Sequence, residues 1–474
     1  MQRSLPIKIL FAALILSFLL PQFVLNTGCA NQIPPTGGVR DSLPPMLISA
    51  KPTDSSINFT GKKIILEFNE FVTVENPSQN LLVSPTSKIP PQVDSKLRTV
   101  TVIIKDTLEP NTTYTYDFGN AIKDINESNI LKNFSYTFST GNKLDDLQFT
   151  GKVLIAESGL TDSTLIAVLH RKAEDSAVIK ESPRYISRID KEGNFLFKNL
   201  PAGTFYLYAF QDPGSKRYGD SLFAYADSPI IVSDSTKPVI LYAYTEIEPR
   251  KPSRPSAGRT PPARGGNAAA DKRLRLETTL QGGEQDLLKP FEVYFRSAPL
   301  KEFDSTKIIF ADEKLKPITN YRIIRDTSNT KLTIDYPWVE NTGYTIIVDK
   351  DFATDTAGRK LLKSDTLEFR TRKQSEYGSI RLRFPNLDLS KNPVLQIVQN
   401  GAVITSHVFR SRDYYVKLYI PGEYDLRILY DDNKNGKWDR GQFFGTRKQP
   451  ERVVPITRKL IVKANWDAEV DITL

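Results

Sequence analysis

The chain has 474 residues, a formal net charge of +9, 25 Phe, 20 Tyr, 31 Pro and one cysteine, Cys29. A lone cysteine excludes an internal disulfide, so each folded unit must be held by packing alone, and the length suffices for roughly three to five cores of ordinary domain size. The charge does not describe a broad nucleic-acid face, because it is local: eight basic residues stand between Pro249 and Arg275 against one acid, Arg3 and Lys8 supply the remainder, and the rest of the chain is balanced.

Residues 1–28 have the layout of a secretory signal peptide. Arg3 and Lys8 precede an apolar run from Ile9 to Leu20, and the small residues Thr27 and Gly28 lead into Cys29. The run is too short and too weakly flanked for a retained membrane helix. The segment from Leu25 to Cys29 resembles the lipobox of bacterial lipoproteins, departing from it at Asn26, where that group usually has Leu. The resemblance implies cleavage before Cys29 and acylation of its thiol. Acyl chains contribute about 0.8 kcal/mol per buried methylene, so the implied state is membrane-attached without spanning. Residues 29–41, rich in Pro and Gly and without hydrophobic period, are predicted to be a lipidated tether.

From 42 to 145 the pattern predicts a sandwich. Ile64, Leu66 and Phe68 alternate with more polar neighbours, as do Tyr114, Tyr116 and Phe118, then Phe134, Tyr136 and Phe138. The segments Phe68 to Val72, Ser84-Pro85, Leu108 to Tyr114 and Phe138 to Gly141 resemble the bacterial Ig-like family typified by S-layer proteins. The opening from Cys29 to Pro45 is similar to a Bacteroidota lipoprotein group that carries this domain behind its tether. Residues 146–246 read as a different β module, opened by Gly151 to Ile155 and centred on Gly193 to Phe210. Its Leu200-Pro201-Ala202-Gly203 step between two aromatic-rich runs predicts a tight turn joining paired antiparallel strands. This module resembles the transthyretin-like or carboxypeptidase-regulatory-like sandwich.

Residues 247–274 form a Pro- and Arg-rich linker. At about 3.1 Å per residue, some 20 extended residues reach roughly 60 Å, so a hinge that separates two halves is expected here. Its basic run reads as solvation or as contact with anionic lipid headgroups. Both modules then recur, as a second Ig-like domain over 275–374 and a second transthyretin-like domain over 375–474. Val339 to Tyr344 echoes the segment ending at Tyr114, and Ile420-Pro421-Gly422 echoes Leu200-Pro201-Ala202. The expected fold class is therefore all-β, a tandem of β-sandwiches.

Catalytic patterns do not emerge. No nucleophile elbow, zinc-binding His pair or phosphate loop occurs, and His170 and His407, the only two histidines, fall at non-equivalent places and are expected on strand surfaces. One loop carries ligand chemistry. Asp431, Asn433, Asn435 and Asp439, with the Lys437 carbonyl and a turn at Gly436, match the spacing of a calcium loop, though Gln442 stands where a bidentate Glu completes such loops. With two carboxylates the site would belong to the weak class, on the order of 10⁻⁴ to 10⁻³ M. A hairpin turn on Asn435-Gly436, with both residues at positive φ, accounts for the same residues without an ion.

The tryptophans Trp338, Trp438 and Trp466 read as core, with sugar stacking as the alternative. The function expected from all of this is that of a non-enzymatic, lipid-anchored binding or scaffold protein of the outer membrane, on its periplasmic or cell-surface face. Its expected partners are the membrane and envelope or outer-membrane proteins, with nucleic acid excluded. The alternative is a glycan-binding lipoprotein of an uptake or adhesion system, using Trp438 beside the calcium loop.

Overall fold

The computed structural model describes residues 40–212, 218, 221–246, 273–296 and 298–474. Cys29, the tether up to residue 39 and the linker up to residue 272 lie outside the described residues. Strands dominate the rest, with only single turns of helix between them. Four of the hydrophobic clusters follow one another along the chain, Phe59 to Phe138, Phe149 to Ala243, Leu274 to Phe369 and Ile380 to Ile472, which makes it a succession of β-sandwiches.

The alternation read from the first module sets its faces. Along Lys63–Phe68, Ile64, Leu66 and Phe68 are fully buried while Lys63 and Glu67 face water. This strand lies between Leu47–Lys51 and Thr99–Ile103, and the facing sheet joins Leu82–Ser84, Thr113–Gly119 and Phe134–Ser139. Phe138 is the hub, with the rings of Phe59 at 4.1 Å and Tyr114 at 5.5 Å between centroids.

The third module repeats several hydrogen bonds of the first at corresponding residues. Asn111 and Asn341 both take positive φ, 50° and 49°. The following Thr112 and Thr342 receive help from the last strand: their N–H groups donate to Thr140 Oγ1 at 3.0 Å and Thr371 Oγ1 at 2.9 Å. The Tyr114 and Tyr344 hydroxyls accept the N–H groups of Glu109 at 2.8 Å and Val339 at 3.4 Å. Two buried aspartates also correspond. Asp124 accepts main-chain N–H groups from Glu127, Ser128 and Asn129, and Asp355 accepts those of Ala357 and Arg359. Burial alone would raise the Asp124 carboxyl, but these N–H donors outweigh it and hold the group below its ordinary value.

The second and fourth modules share a mixed topology. Leu147–Ile155 pairs in parallel with Val239–Thr245, and Gly378–Arg383 pairs in parallel with Asp467–Asp471. The Leu-Pro-Ala-Gly step is not the expected hairpin. Asn194–Leu200 pairs with Leu147–Ile155, whereas Gly203–Gln211 pairs with Leu165–His170 and Leu222–Tyr225, so the step carries the chain from one part of the sandwich to another. The fourth module does the same at Pro421, between Asp413–Tyr419 and Gly422–Tyr430. A proline at the crossing has no N–H to extend either ladder, which ends one pairing and frees the chain to change partners.

Candidate functional site

The calcium-like loop is the connection between Gly422–Tyr430 and Arg452–Val462, whose closing pair is Tyr430 with Arg452. Asp431 is buried at its root, where one carboxylate oxygen accepts the N–H of Gly436 at 2.6 Å and the other that of Asn435 at 3.2 Å. The side-chain oxygens of Asn433 and Asn435 accept the N–H groups of Asn435 and Lys437, at 3.0 and 2.7 Å. Both asparagine amides donate to Asp439, that of Asn435 at 2.7 Å. The structure thus brings Asp431, Asn433, Asn435 and Asp439 together, with Lys437 contributing its main chain. The positive φ values fall on Lys434 and Gly436 and not on Asn435, so the turn differs from the simple Asn-Gly hairpin.

Glu451, which the spacing did not single out, anchors this loop from below. It is buried, and its two oxygens accept the N–H groups of Asp432 at 2.9 Å and Asp439 at 3.0 Å. Burial holds its carboxyl above the usual range, the Asp431 charge adds to that, and the main-chain donors oppose it. Gln442 does not complete the loop: its main chain pairs with Lys448 and its side-chain amide donates to the Phe444 carbonyl at 3.0 Å. The oxygen donors are of the kind calcium takes, yet among the described residues no group of three or more His, Cys, Asp or Glu is placed to hold a metal.

The far end of the loop docks on the second module. Phe443, almost wholly buried, lies 4.8 Å from Tyr225, 5.0 Å from Phe223 and 5.6 Å from Tyr208 between ring centroids. Phe444 and Trp438 pack around the same cluster, and the Trp438 indole donates to the Glu451 carbonyl at 2.8 Å. Polar contacts surround these rings. Glu246 accepts the N–H groups of Phe443 at 3.0 Å and Phe444 at 3.2 Å, Gln449 donates to Asp227 at 2.9 Å, and Arg447 pairs with Asp175. The Val453 N–H donates to the Ala156 carbonyl at 3.0 Å. Burial pushes the Tyr208 and Tyr225 hydroxyls up to about 12. The two halves are therefore in contact, contrary to the expected separation across the linker, because this loop presents two adjacent phenylalanines to an aromatic sheet face.

A second junction joins the first and second modules. Arg184 forks onto Glu109 with contacts of 2.5 and 2.6 Å, and its carbonyl accepts the Thr86 N–H at 2.9 Å. Asn199 donates to Thr115 Oγ1 at 3.0 Å, and Arg188 reaches across to Asp117 and the Asn80 carbonyl. The hydrogen bond from Arg184 holds the Glu109 carboxyl below its ordinary value. A cleft of about 1060 Å³ runs beside this junction, lined by Thr115, Asp117, Arg188 and Lys198 together with apolar Ile186 and Leu196.

His170 is buried, not on a surface. Its ring stands edge-on to Tyr208 at 5.7 Å, and desolvation lowers its pKa to about 4. His407 is half-buried beside Phe409 and Tyr414, and desolvation lowers its pKa too. The histidines sit in different modules and share no site. Trp338 packs in the third core, whereas Trp466 is exposed with Lys463 over its ring.

The comparisons with known proteins agree with the first module's pattern. Residues 41–140 match a bacterial Ig-like domain. That stretch carries a non-catalytic sandwich type, and no curated protein matches the chain. Among solved structures, the Bacillus anthracis TIE protein is 12% identical over 92% of this chain and 75% of its own, with a TM-score of 0.17. The major pilin subunit BcpA of Bacillus cereus is 9% identical over 69% of this chain and 99% of its own, with a TM-score of 0.17. The N-terminal part of the bacterial S-layer protein SbsC is 15% identical over 40% of this chain and 44% of its own, with a TM-score of 0.16. At such scores the similarity bears on neither module arrangement nor activity. No helix among the described residues is long and apolar enough to cross a membrane, which says nothing of β-barrel spans.

Proposed function

We propose that the protein is a lipid-anchored, non-enzymatic scaffold of the bacterial outer membrane that holds β-sandwich surfaces in fixed relation for a partner in the cell envelope. The observation that carries this reading is the placement of the polar and aromatic side chains. The Arg184–Glu109 fork, the Glu246 contacts and the Phe443 cluster all cross module boundaries, so they set the relation between modules. A chain built in this way offers a preorganised surface, which lowers the ordering cost of binding.

Attachment through Cys29 is part of the proposal and is tested directly. Metabolic labelling with a palmitate analogue should mark the wild-type chain and not Cys29→Ser, and the variant should leave the membrane fraction. Equal labelling of both would remove the anchor from the reading. Cross-linking in intact cells, followed by gentle detergent extraction, should recover an outer-membrane or envelope protein in stoichiometric amount; recovery of the chain alone would count against the scaffold role.

Calcium at Asp431, Asn433, Asn435, Lys437 and Asp439 belongs to the same proposal as a weak structural ion, which would take the place of the two amide donors on Asp439. Calorimetric titration with calcium chloride should give saturable heat at about millimolar concentration. Asp431→Asn should abolish it, and no heat from the wild type would withdraw the ion. The glycan alternative loses its platform, since Trp438 is engaged between modules.

A further inference from the structure

Sheet edges offer unpaired main-chain groups, and soluble proteins blunt them with charge, proline, shortness or a covering segment. Nearly every edge strand described here is blunted. Lys51, Lys96, Lys198, Arg325 and Lys417 stand on five of them, and Pro455 interrupts a sixth. Phe134–Ser139 has no charge, but residues 55 and 56 cover its rim: the Ser55 N–H donates to Thr137 O and the Ser139 N–H to Ser56 O, both at 2.8 Å. Val72–Val74, Leu82–Ser84 and Ile230–Val232 are only three residues long.

The exception is Ala402–Val408, Ala-Val-Ile-Thr-Ser-His-Val, seven residues without charge or proline. It pairs on one side only, with Pro393–Gln399, at the edge of a four-stranded sheet. Thr405 and His407 turn inward, to Tyr419 and to Phe409 and Tyr414. Ile404, Ser406 and Val408 turn outward and are exposed, Ile404 and Val408 at 49% and 50%. The register shift lies near Ile404, and from Thr405 to Val408 the pairing is regular.

We infer that this strand is the contact through which a second copy of the chain binds, strand against strand, antiparallel about a two-fold axis at Ser406. A two-fold contact requires a surface that complements itself. Pairing about Ser406 sets Ile404 opposite Val408 of the other copy and Ser406 opposite its own counterpart. Thr405 then faces His407, and Arg410 falls opposite Ala402, so no like charges meet. The outward side chains also extend an interface that exists already. On the neighbouring strands Val394, Leu429 and Val453 point the same way and are buried beside Trp438 at the contact with the second module, and Val408 lies next to Gly436 of the docking loop. The pairing would join two four-stranded sheets into one of about eight, within the usual range.

This inference concerns how the proposed scaffold presents itself, and its test needs neither anchor nor envelope partner. The full chain is purified in mild detergent and its mass is read by sedimentation and light scattering. The wild type should be a dimer. Ile404→Lys with Val408→Lys, which sets lysine against lysine twice, should weaken association by at least about tenfold. Ile404→Lys with Val408→Glu sets lysine against glutamate twice and should restore the dimer, an outcome that mere damage to the module would not produce. A monomeric wild type, or a dimer indifferent to the paired lysines, would overturn the inference while leaving the Cys29 anchor and the envelope partner as they stand.

Discussion

His170 shows how one buried side chain makes stability depend on pH. Its ring is neutral in the fold, with a pKa lowered from 6.5 to about 4, chiefly by desolvation, with the charge of Glu181 opposing. The unfolded chain takes up a proton at its ordinary value, whereas the folded chain does not until about 4, so stability is full above 6.5 and falls as pH drops through that window. The loss can reach roughly 3 kcal/mol at one pKa unit per 1.36 kcal/mol. Urea midpoints measured across that range should decline for the wild type and decline less for His170→Phe, which keeps the ring contact with Tyr208. Identical pH profiles would show that the ring titrates normally. Single-residue chemistry was legible in the sequence only where neighbours in the chain define it. Asp431, Asn433, Asn435 and Asp439 fall within one turn-forming motif, whereas Glu451 arrives from the next strand's start. His170 lies in the apolar run Leu165–His170, whose buried state on both faces leaves no alternation to reveal which way the ring points.

At the scale of elements, the connection between Gly422–Tyr430 and Arg452–Val462 does the work of an arm. Its root is tied by Asp431 and Glu451, and its tip carries Phe443 into the second module. Truncating a fully buried phenylalanine costs about 3–5 kcal/mol, and here the loss falls on the docking and not on either core, because Phe443 contacts Tyr208, Phe223 and Tyr225 rather than its own sandwich. Phe443→Ala should therefore open the contact while both modules stay folded. Limited proteolysis should cut within 431–451 many times faster in the variant, with far-ultraviolet circular dichroism unchanged. An unchanged cleavage rate would mean that the polar contacts at Glu246, Arg447 and Gln449 suffice. The strands themselves were readable, since residues such as Ile64, Leu66 and Phe68 alternate with period two. The strand order at Leu200-Pro201 was not, because a local turn signal states that the chain bends and not which ladder it joins afterwards.

For the whole molecule, the duplication was visible as repeated motifs and is matched in the structure by repeated hydrogen bonds at Thr112 and Thr342. The arrangement of the copies was hidden, since a docking pair such as Phe443-Phe444 looks in sequence like any aromatic step near a strand. Composition suggested that the linker governs the distance between halves, but loop length enters the closure cost only logarithmically, at about 0.6 kcal/mol for each doubling. Burying Phe443 alone outweighs several such doublings. Inserting Gly-Ser repeats that double the linker should accordingly leave the radius of gyration from small-angle scattering nearly unchanged in the wild type, apart from the added residues. The same insertion in Phe443→Ala should expand the particle, because undocked halves separate as the root of linker length, about 5–6 Å times the square root of the residue number. If the wild type expanded as much as the variant, the linker and not the arm would set the spacing, and the modules would act as two independent pairs on a tether.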